Sequence, residues 1–267
     1  MPPSFQHLIL TKFNLRRQSS GDVNEREWLT KRFRLFVDYC FPSVRNQTNQ
    51  NFKWLVFFDT GLPEEFKVII NSLAAEWDLL IPVYLDGQAR ADIRRIAAMH
   101  VQAPYCISTR LDNDDMLSIH FVDVIQSQFD SQKRLLVNVL HGYCYSFSHQ
   151  RFFEVKNKLA NPFLSFIEST NGGLKTAFLG KHNKMKKFKK VLNLDASLWC
   201  FLIHDSNAVN TVSGRPLRIE RLPDFEYKPT LMSSSDISFS LMAQSMKYRL
   251  GVLFSKLQIL SVFNKLD

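Results

Sequence analysis

Tyr105-Cys106-Ile107-Ser108-Thr109 runs into Arg110-Leu111-Asp112-Asn113-Asp114-Asp115, and the reading of this stretch decides the fold. The first five residues read as a buried strand, and Met116-Leu117 then begins a helical pattern. Three carboxylates therefore stand where an apolar strand ends. In an open α/β sheet, ligands bind outside the carboxyl ends of the strands. A hard cation such as Mg²⁺ or Mn²⁺ is held there by one or two carboxylates together with substrate phosphate oxygens. Helix capping competes with that reading, because an aspartate accepts hydrogen bonds from the free N–H groups of a first turn. A cap needs one carboxylate, however, and this turn concentrates three within four residues. A helix–loop–helix calcium loop fits poorly, since Leu117 stands where glycine is needed and the twelfth position is Asp123.

Upstream, strand-like and helix-like segments alternate. Gln6 to Asn14 reads as a strand, and Glu27 to Tyr39 carries Leu29, Phe33, Phe36 and Val37 at helical spacing until Pro42 ends the region. Trp54 to Phe58 is a second buried strand closing on Asp59, followed by a helix from Glu64 to about Ala75. A third strand, Leu80 to Leu85, closes on Asp86, and a helix from Ala89 to Met99 precedes the acidic stretch. This alternation predicts βαβ units and a mostly parallel sheet. Asp59, Asp86 and Asp112 then line one edge of it. No GxGxxG or GxxxxGK[ST] pattern occurs among the 9 glycines, so phosphate charge must be met by metal and arginine.

Downstream the pattern loosens. Leu135 to Leu140 and Gly142 to Phe147 read as two adjacent strands, Lys175 to Leu179 as a short one, and Trp199 to His204 as another apolar run. The segment from Asp236 to Leu266 is helix-like and amphipathic, suited to packing on the body or to lying in a membrane interface.

The chain has 267 residues, enough for one large α/β domain. Its 23 phenylalanines predict an aromatic core. Cys40, Cys106, Cys144 and Cys200 lack CxxC spacing and sit in apolar settings, so buried free thiols are expected rather than zinc or disulfides. No signal peptide or bilayer-length apolar run is visible, which points to the cytoplasm. The net charge of +9 asks for an anionic partner or surface. Lys181, Lys184, Lys186, Lys187, Lys189 and Lys190 fall within ten residues, as a solvated face or a patch for the inner face of a membrane. Nucleic acid is disfavoured, because no recognition motif accompanies the charge.

The chain resembles nucleotide-sugar glycosyltransferases of the GT-A fold, and within them the bacterial rhamnosyltransferase family. The resemblance rests on Thr11-Lys12-Phe13-Asn14-Leu15-Arg16, Trp28-Leu29-Thr30-Lys31-Arg32-Phe33 and Pro42-Ser43-Val44-Arg45-Asn46-Gln47-Thr48. Phe52 to Asp59 and Thr109 to Asp115 extend it, with fainter echoes at Asn161 to Ser165 and Trp199 to Asn210. It implies a GT-A-like domain over 1–235, with a nucleotide-binding half (1–115) and an acceptor half (116–235), ahead of the amphipathic helix at 236–267.

The implied activity is transfer of a sugar, rhamnose by the family's description, from a nucleoside diphosphate to an acceptor hydroxyl of a surface glycan or glycolipid. Asp59 would contact base or ribose, Asp112 ribose and metal, and Asp114 a divalent cation, Mn²⁺ or Mg²⁺. Such a Lewis acid quenches charge on the leaving diphosphate. Arg16, Arg94 and Arg110 are candidates to assist it, with surface ion pairing as the competing reading. His204 is a candidate metal ligand or a structural histidine. Glu168, Asp195 and Asp205 are candidate general bases. The acidic pair with Gln-x-x-Arg-Trp typical of many inverting relatives is missing, so the stereochemical outcome stays open. The competing function class is a non-catalytic basic module that binds anionic polymer or a membrane surface.

Overall fold

A computed structural model describes residues 4–15, 23–86, 90–156, 158–159, 161–178, 190–204, 214–219 and 221–227. Arg16, Asp205, the lysine-rich segment up to Lys189 and the tail from Asp236 lie outside them.

Parallel strands come first along the chain. β1 (Phe5–Lys12) lies between β2 (Lys53–Asp59) and β4 (Tyr105–Arg110), and β3 (Leu80–Leu85) extends the sheet beyond β2. Leu8, Ile9 and Leu10 are all fully buried, as expected of a central strand covered on both faces. Ile9, Val56 and Ile107 face one core; Leu8, Leu10, Leu55 and Cys106 face the other. The two-residue side-chain period makes that division. The first core is covered by α1 (Arg26–Leu35), α2 (Phe41–Arg45), α3 (Glu64–Glu76) and α5 (Phe121–Gln126), and the second by α4 (Arg90–Met99).

The second half adds antiparallel strands to the same sheet. β6 (Arg134–Ser146) pairs with β8 (Leu164–Ser169) over its first part and with β7 (Arg151–Val155) over its second. β9 (Val191–Ile203) runs parallel beside it, and β8 joins β4 antiparallel, so the sheet is mixed. The sheet ends at β10 (Arg215–Pro216), beside β7. Among the described residues no helix is long and apolar enough to cross a membrane. The four cysteines are buried free thiols, as expected.

Four expectations need correction. Lys175 to Leu179, expected as a short strand, is irregular over its described residues 175–178, where Lys175 and Thr176 donate their N–H groups to the Glu168 carboxylate instead of to a ladder. Pro42 does not end the first helical region. A π-helical turn, Phe36–Cys40, follows α1, and Pro42 sits in the first turn of α2. The wider turn relieves the clash a proline otherwise makes with the carbonyl four residues back. The two strands expected between Leu135 and Phe147 are one strand. Gly142 lies inside it because a Cβ there would come within 2.2 Å of the Trp199 ring. Met116–Leu117 does not begin a helix either. It is a short strand, β5, paired antiparallel with Cys200 and Trp199.

Candidate functional site

The acidic turn is held from three sides. Its start is tied to β1 by Leu111 N–H donating to the Leu10 carbonyl (3.1 Å). Cys40 Sγ donates to the Asp112 carbonyl at 3.7 Å, from the π turn. Leu117 N–H donates to Ser43 Oγ (3.1 Å), and the Gln47 amide donates to the Ser118 carbonyl (2.7 Å) while accepting from Val122 N–H (2.9 Å). β5 then docks on the end of β9, which brings His204 over the turn.

Asp114 occupies the centre. Its Oδ2 receives His204 Nε2 at 2.9 Å and pairs with the Arg32 guanidinium reaching over from α1. The three side chains are 9 %, 10 % and 14 % exposed respectively, so little water screens them. Burial pushes the Asp114 carboxyl up, but the His204 bond and the Arg32 charge outweigh it and hold it below the usual range. Arg32 also lies over the Trp28 ring, 5.4 Å from its centroid, and its Nε is buried without a hydrogen-bond partner.

Asp112 points to a wetter side, where Arg110 grips both its oxygens at 2.9 and 3.1 Å. Arg110 and Lys12 both lie over the Phe178 ring, at 5.8 and 4.7 Å. Asp115 differs again. It is buried, accepts Leu202 N–H at 3.2 Å, and its pKa is pushed well up by burial and then by the charges of Asp114 and Asp112.

That shift has a pH signature. A carboxyl whose folded pKa is raised binds its proton more tightly in the folded state, so its contribution to stability falls as pH rises above the unfolded value. Asp115→Asn keeps the shape and the acceptor for Leu202 without the charge. The variant is expected to melt at or above the wild-type temperature, with an advantage that grows from pH 5 to pH 8 in the presence of a chelator. Thermal melts across that range check it; an advantage that shrinks toward pH 8 contradicts the assignment.

Asp59 reaches the same edge at the end of β2, across β1 from the acidic turn. It is 1 % exposed, and its Oδ1 accepts from Asn24 Nδ2 and Gly61 N–H, each at 2.9 Å. Asn14 completes the cluster, accepting from Asp59 N–H (3.0 Å) and donating to Asn24 (2.8 Å). Asp59 is thus an anchor beneath Asn24. Asp86 follows β3 at the same edge, on the outermost parallel strand, and is exposed.

Three candidates fall elsewhere. Glu168 is at the other end of the sheet, because antiparallel β8 pairs it with Cys106, near the start of β4. Six residues of extended chain, about 20 Å, separate that point from Asp112. Its carboxylate clasps the backbone N–H groups of Lys175 (2.9 Å) and Thr176 (2.8 Å). Arg94 belongs to the same region, donating to the Lys175 carbonyl at 3.0 Å. Asp195 is paired with His141 at 2.6 Å, nine residues before His204 on the same run. Arg32, Lys12, Asn14 and Asn24 were not picked out individually from the sequence. Arg32 meets its carboxylate across 82 positions, and only its place within a stretch of family resemblance marked it.

The family described as "Putative rhamnosyl transferase" matches residues 16–216, well over half of the sequence, with Arg32, Asp59, the acidic turn and His204 inside the match. The chain belongs to this rhamnosyltransferase family. It is therefore grouped with glycosyltransferases, as the resemblance implied. No curated protein matches it. Among solved structures it is similar to the S. aureus TarS 1-349 fragment in complex with UDP-GlcNAc, at 9 % identity and TM-score 0.46, over 77 % of this chain and 62 % of that one. It is also similar to HddC from Yersinia pseudotuberculosis, at 11 % identity and TM-score 0.34, over 71 % and 89 % of the two chains. The chain thus spans about three fifths of the TarS fragment. At such distances the likeness assigns no role to any residue.

Proposed function

We propose that this rhamnosyltransferase-family chain moves a sugar from a nucleoside-diphosphate donor to an acceptor hydroxyl, with a divalent cation at Asp114. The contact between Asp114 and His204 carries the reading, because it joins a carboxylate and an imidazole from distant segments at the carboxyl edge of the sheet. Among the described residues no cluster of three or more metal-ligating side chains is gathered. A Mg²⁺-type site nevertheless takes one or two carboxylates and completes its shell with phosphate oxygens and water. Asp114 and His204, with Asp112 two residues away in the same turn, fit that donor set. A cation there would supply Lewis-acid stabilisation of the leaving diphosphate.

The protein's own residues do the rest. Asn24, fixed by Asp59 and Asn14, would position the nucleoside; Asp112 would receive ribose hydroxyls with Arg110 as its counter-charge. Lys12 and Arg110, side by side over Phe178, add positive charge next to the turn. Of the candidate bases, Asp205 directly follows His204 in the sequence and would take the acceptor's proton. Glu168, at the far end of the sheet, is out of reach of that proton. Rhamnose as the sugar and a surface glycan or glycolipid as the acceptor complete the proposal, with peripheral contact at the inner face of a membrane.

A panel of nucleotide sugars, each with and without Mn²⁺, tests it by thermal shift and by hydrolysis of the donor. One donor is expected to raise the melting temperature in the presence of Mn²⁺ and to be cleaved slowly to its nucleoside diphosphate. If no donor shifts the protein under either condition, while anionic polymer binds it in a salt-sensitive way, the basic-module alternative replaces the enzyme.

A further inference from the structure

We propose that Arg32 is a reserve cation of the site: it neutralises Asp114 while the site waits, and passes to the donor's diphosphate when donor and metal arrive. The inference rests on the metal-dependent transferase reading above and adds to it a coupling between the two ligands.

Charge bookkeeping comes first. Asp112 and Asp114 are each already matched by an arginine, Arg110 and Arg32. A cation entering alone would meet a carboxylate that is already neutralised, and would have to push a buried guanidinium off Asp114. Like charges in a poorly screened place repel strongly. The metal by itself should bind weakly. A diphosphate entering with the metal changes the sum, because it offers oxygens to both the metal and the displaced arginine.

Geometry provides the second part. Arg32 has five N–H donors in a planar fork suited to phosphate. The ion pair with Asp114 engages Nη1, while Nε is buried with no hydrogen-bond partner. An unmet buried donor is costly, and such a group in a folded protein calls for an explanation. A phosphate oxygen arriving at the guanidinium would satisfy it. The Trp28 ring beneath, at 5.4 Å, limits the fork to a swing across its face.

Third, α1 lies along the site. Asn24, just before the helix, holds Asp59; Arg32, two turns into it, holds Asp114. The two residues are eight positions apart, about 12 Å at the helical rise. That is of the order of a nucleoside diphosphate laid from its ribose to its second phosphate.

The test measures two binding constants in the whole chain: Mn²⁺ alone, by EPR titration, and inorganic pyrophosphate in saturating Mn²⁺, by calorimetry. In Arg32→Gln, Mn²⁺ alone is expected to bind about 10-fold tighter, because the competing charge is gone. Pyrophosphate is expected to bind about 10- to 100-fold weaker, because a charge-assisted fork is lost. An arginine that merely braces Asp114 would not move the two constants in opposite directions. Arg32→Lys keeps the charge without Nε, and serves if the glutamine variant does not fold. It should leave the Mn²⁺ affinity near wild type and still weaken pyrophosphate. If wild type binds Mn²⁺–pyrophosphate and the folded variants bind both ligands equally well, the role of Arg32 is overturned while the transferase reading stands. If wild type binds neither pyrophosphate nor any nucleoside diphosphate, both fall.

Discussion

Asp114→Ala is expected to lose about 10²- to 10³-fold in kcat for sugar transfer, the scale seen when one fixed stabiliser of developing negative charge is removed. The same change should lower stability. Arg32 and His204 converge on this one carboxylate, and all three side chains are almost enclosed. Taking away one partner of a buried pair leaves an uncompensated charge, at a cost of about 3–5 kcal/mol. Asp114→Asn separates the two effects, since it keeps an acceptor for Arg32 and His204 but not the charge. It should recover part of the stability and little of the activity. Asp112→Asn makes the contrast: its side chain is 38 % exposed, so the melting temperature should barely move while donor binding weakens. The measurements are initial rates with Mn²⁺ and thermal melts on the three variants. Metal-dependent donor binding that survives intact in Asp114→Asn would remove this carboxylate from the site.

Trp199→Ala is the second large effect, and it acts through the fold. The indole stacks on Phe163 at 5.1 Å with 9° between the planes and on Phe201 at 5.7 Å with 16°. Its Nε1–H donates to the Val139 carbonyl at 2.8 Å, and Gly142 makes room for its ring. Truncation would empty a fully buried volume and remove one of the two donors to the Val139 carbonyl, which Asn161 Nδ2 also serves at 2.8 Å, costing about 3–5 kcal/mol. For a domain of this size that corresponds to a melting temperature lower by about 10 °C. The loss should also reach the site, because the Trp199 backbone pairs with Leu117, next to the acidic turn. Calorimetry and donor binding check the two parts. An unchanged melting temperature would mean that this stack does not support β9.

The parallel half of the fold was legible from local pattern alone. Leu8-Ile9-Leu10, Trp54 to Phe58 and Cys106-Ile107 are continuous apolar runs, as strands covered on both faces must be, and the intervening helices show 3.6-residue periodicity. The antiparallel half was harder. Gly142 looked like a break between two strands, because nothing local announces an indole 57 residues later that needs the space. Met116-Leu117 looked helical because its strand partner, Cys200-Trp199, lies still further away in the chain.

The site divides the same way. The amino-acid order alone determined that acidic side chains follow Phe58, Leu85 and Arg110, and parallel strand order turns that into a shared edge. It also raised His204 as a candidate, from its place after an apolar run. Tertiary structure decided which side chains work together. It paired Asp114 with Arg32 and His204, buried Asp59 beneath Asn24, and sent Glu168 to the opposite end through the antiparallel register of β8. The reason is physical. Strand and helix signals are written in neighbours a few residues apart, whereas a charge finds its counter-charge by proximity in space, after the sheet has set every register.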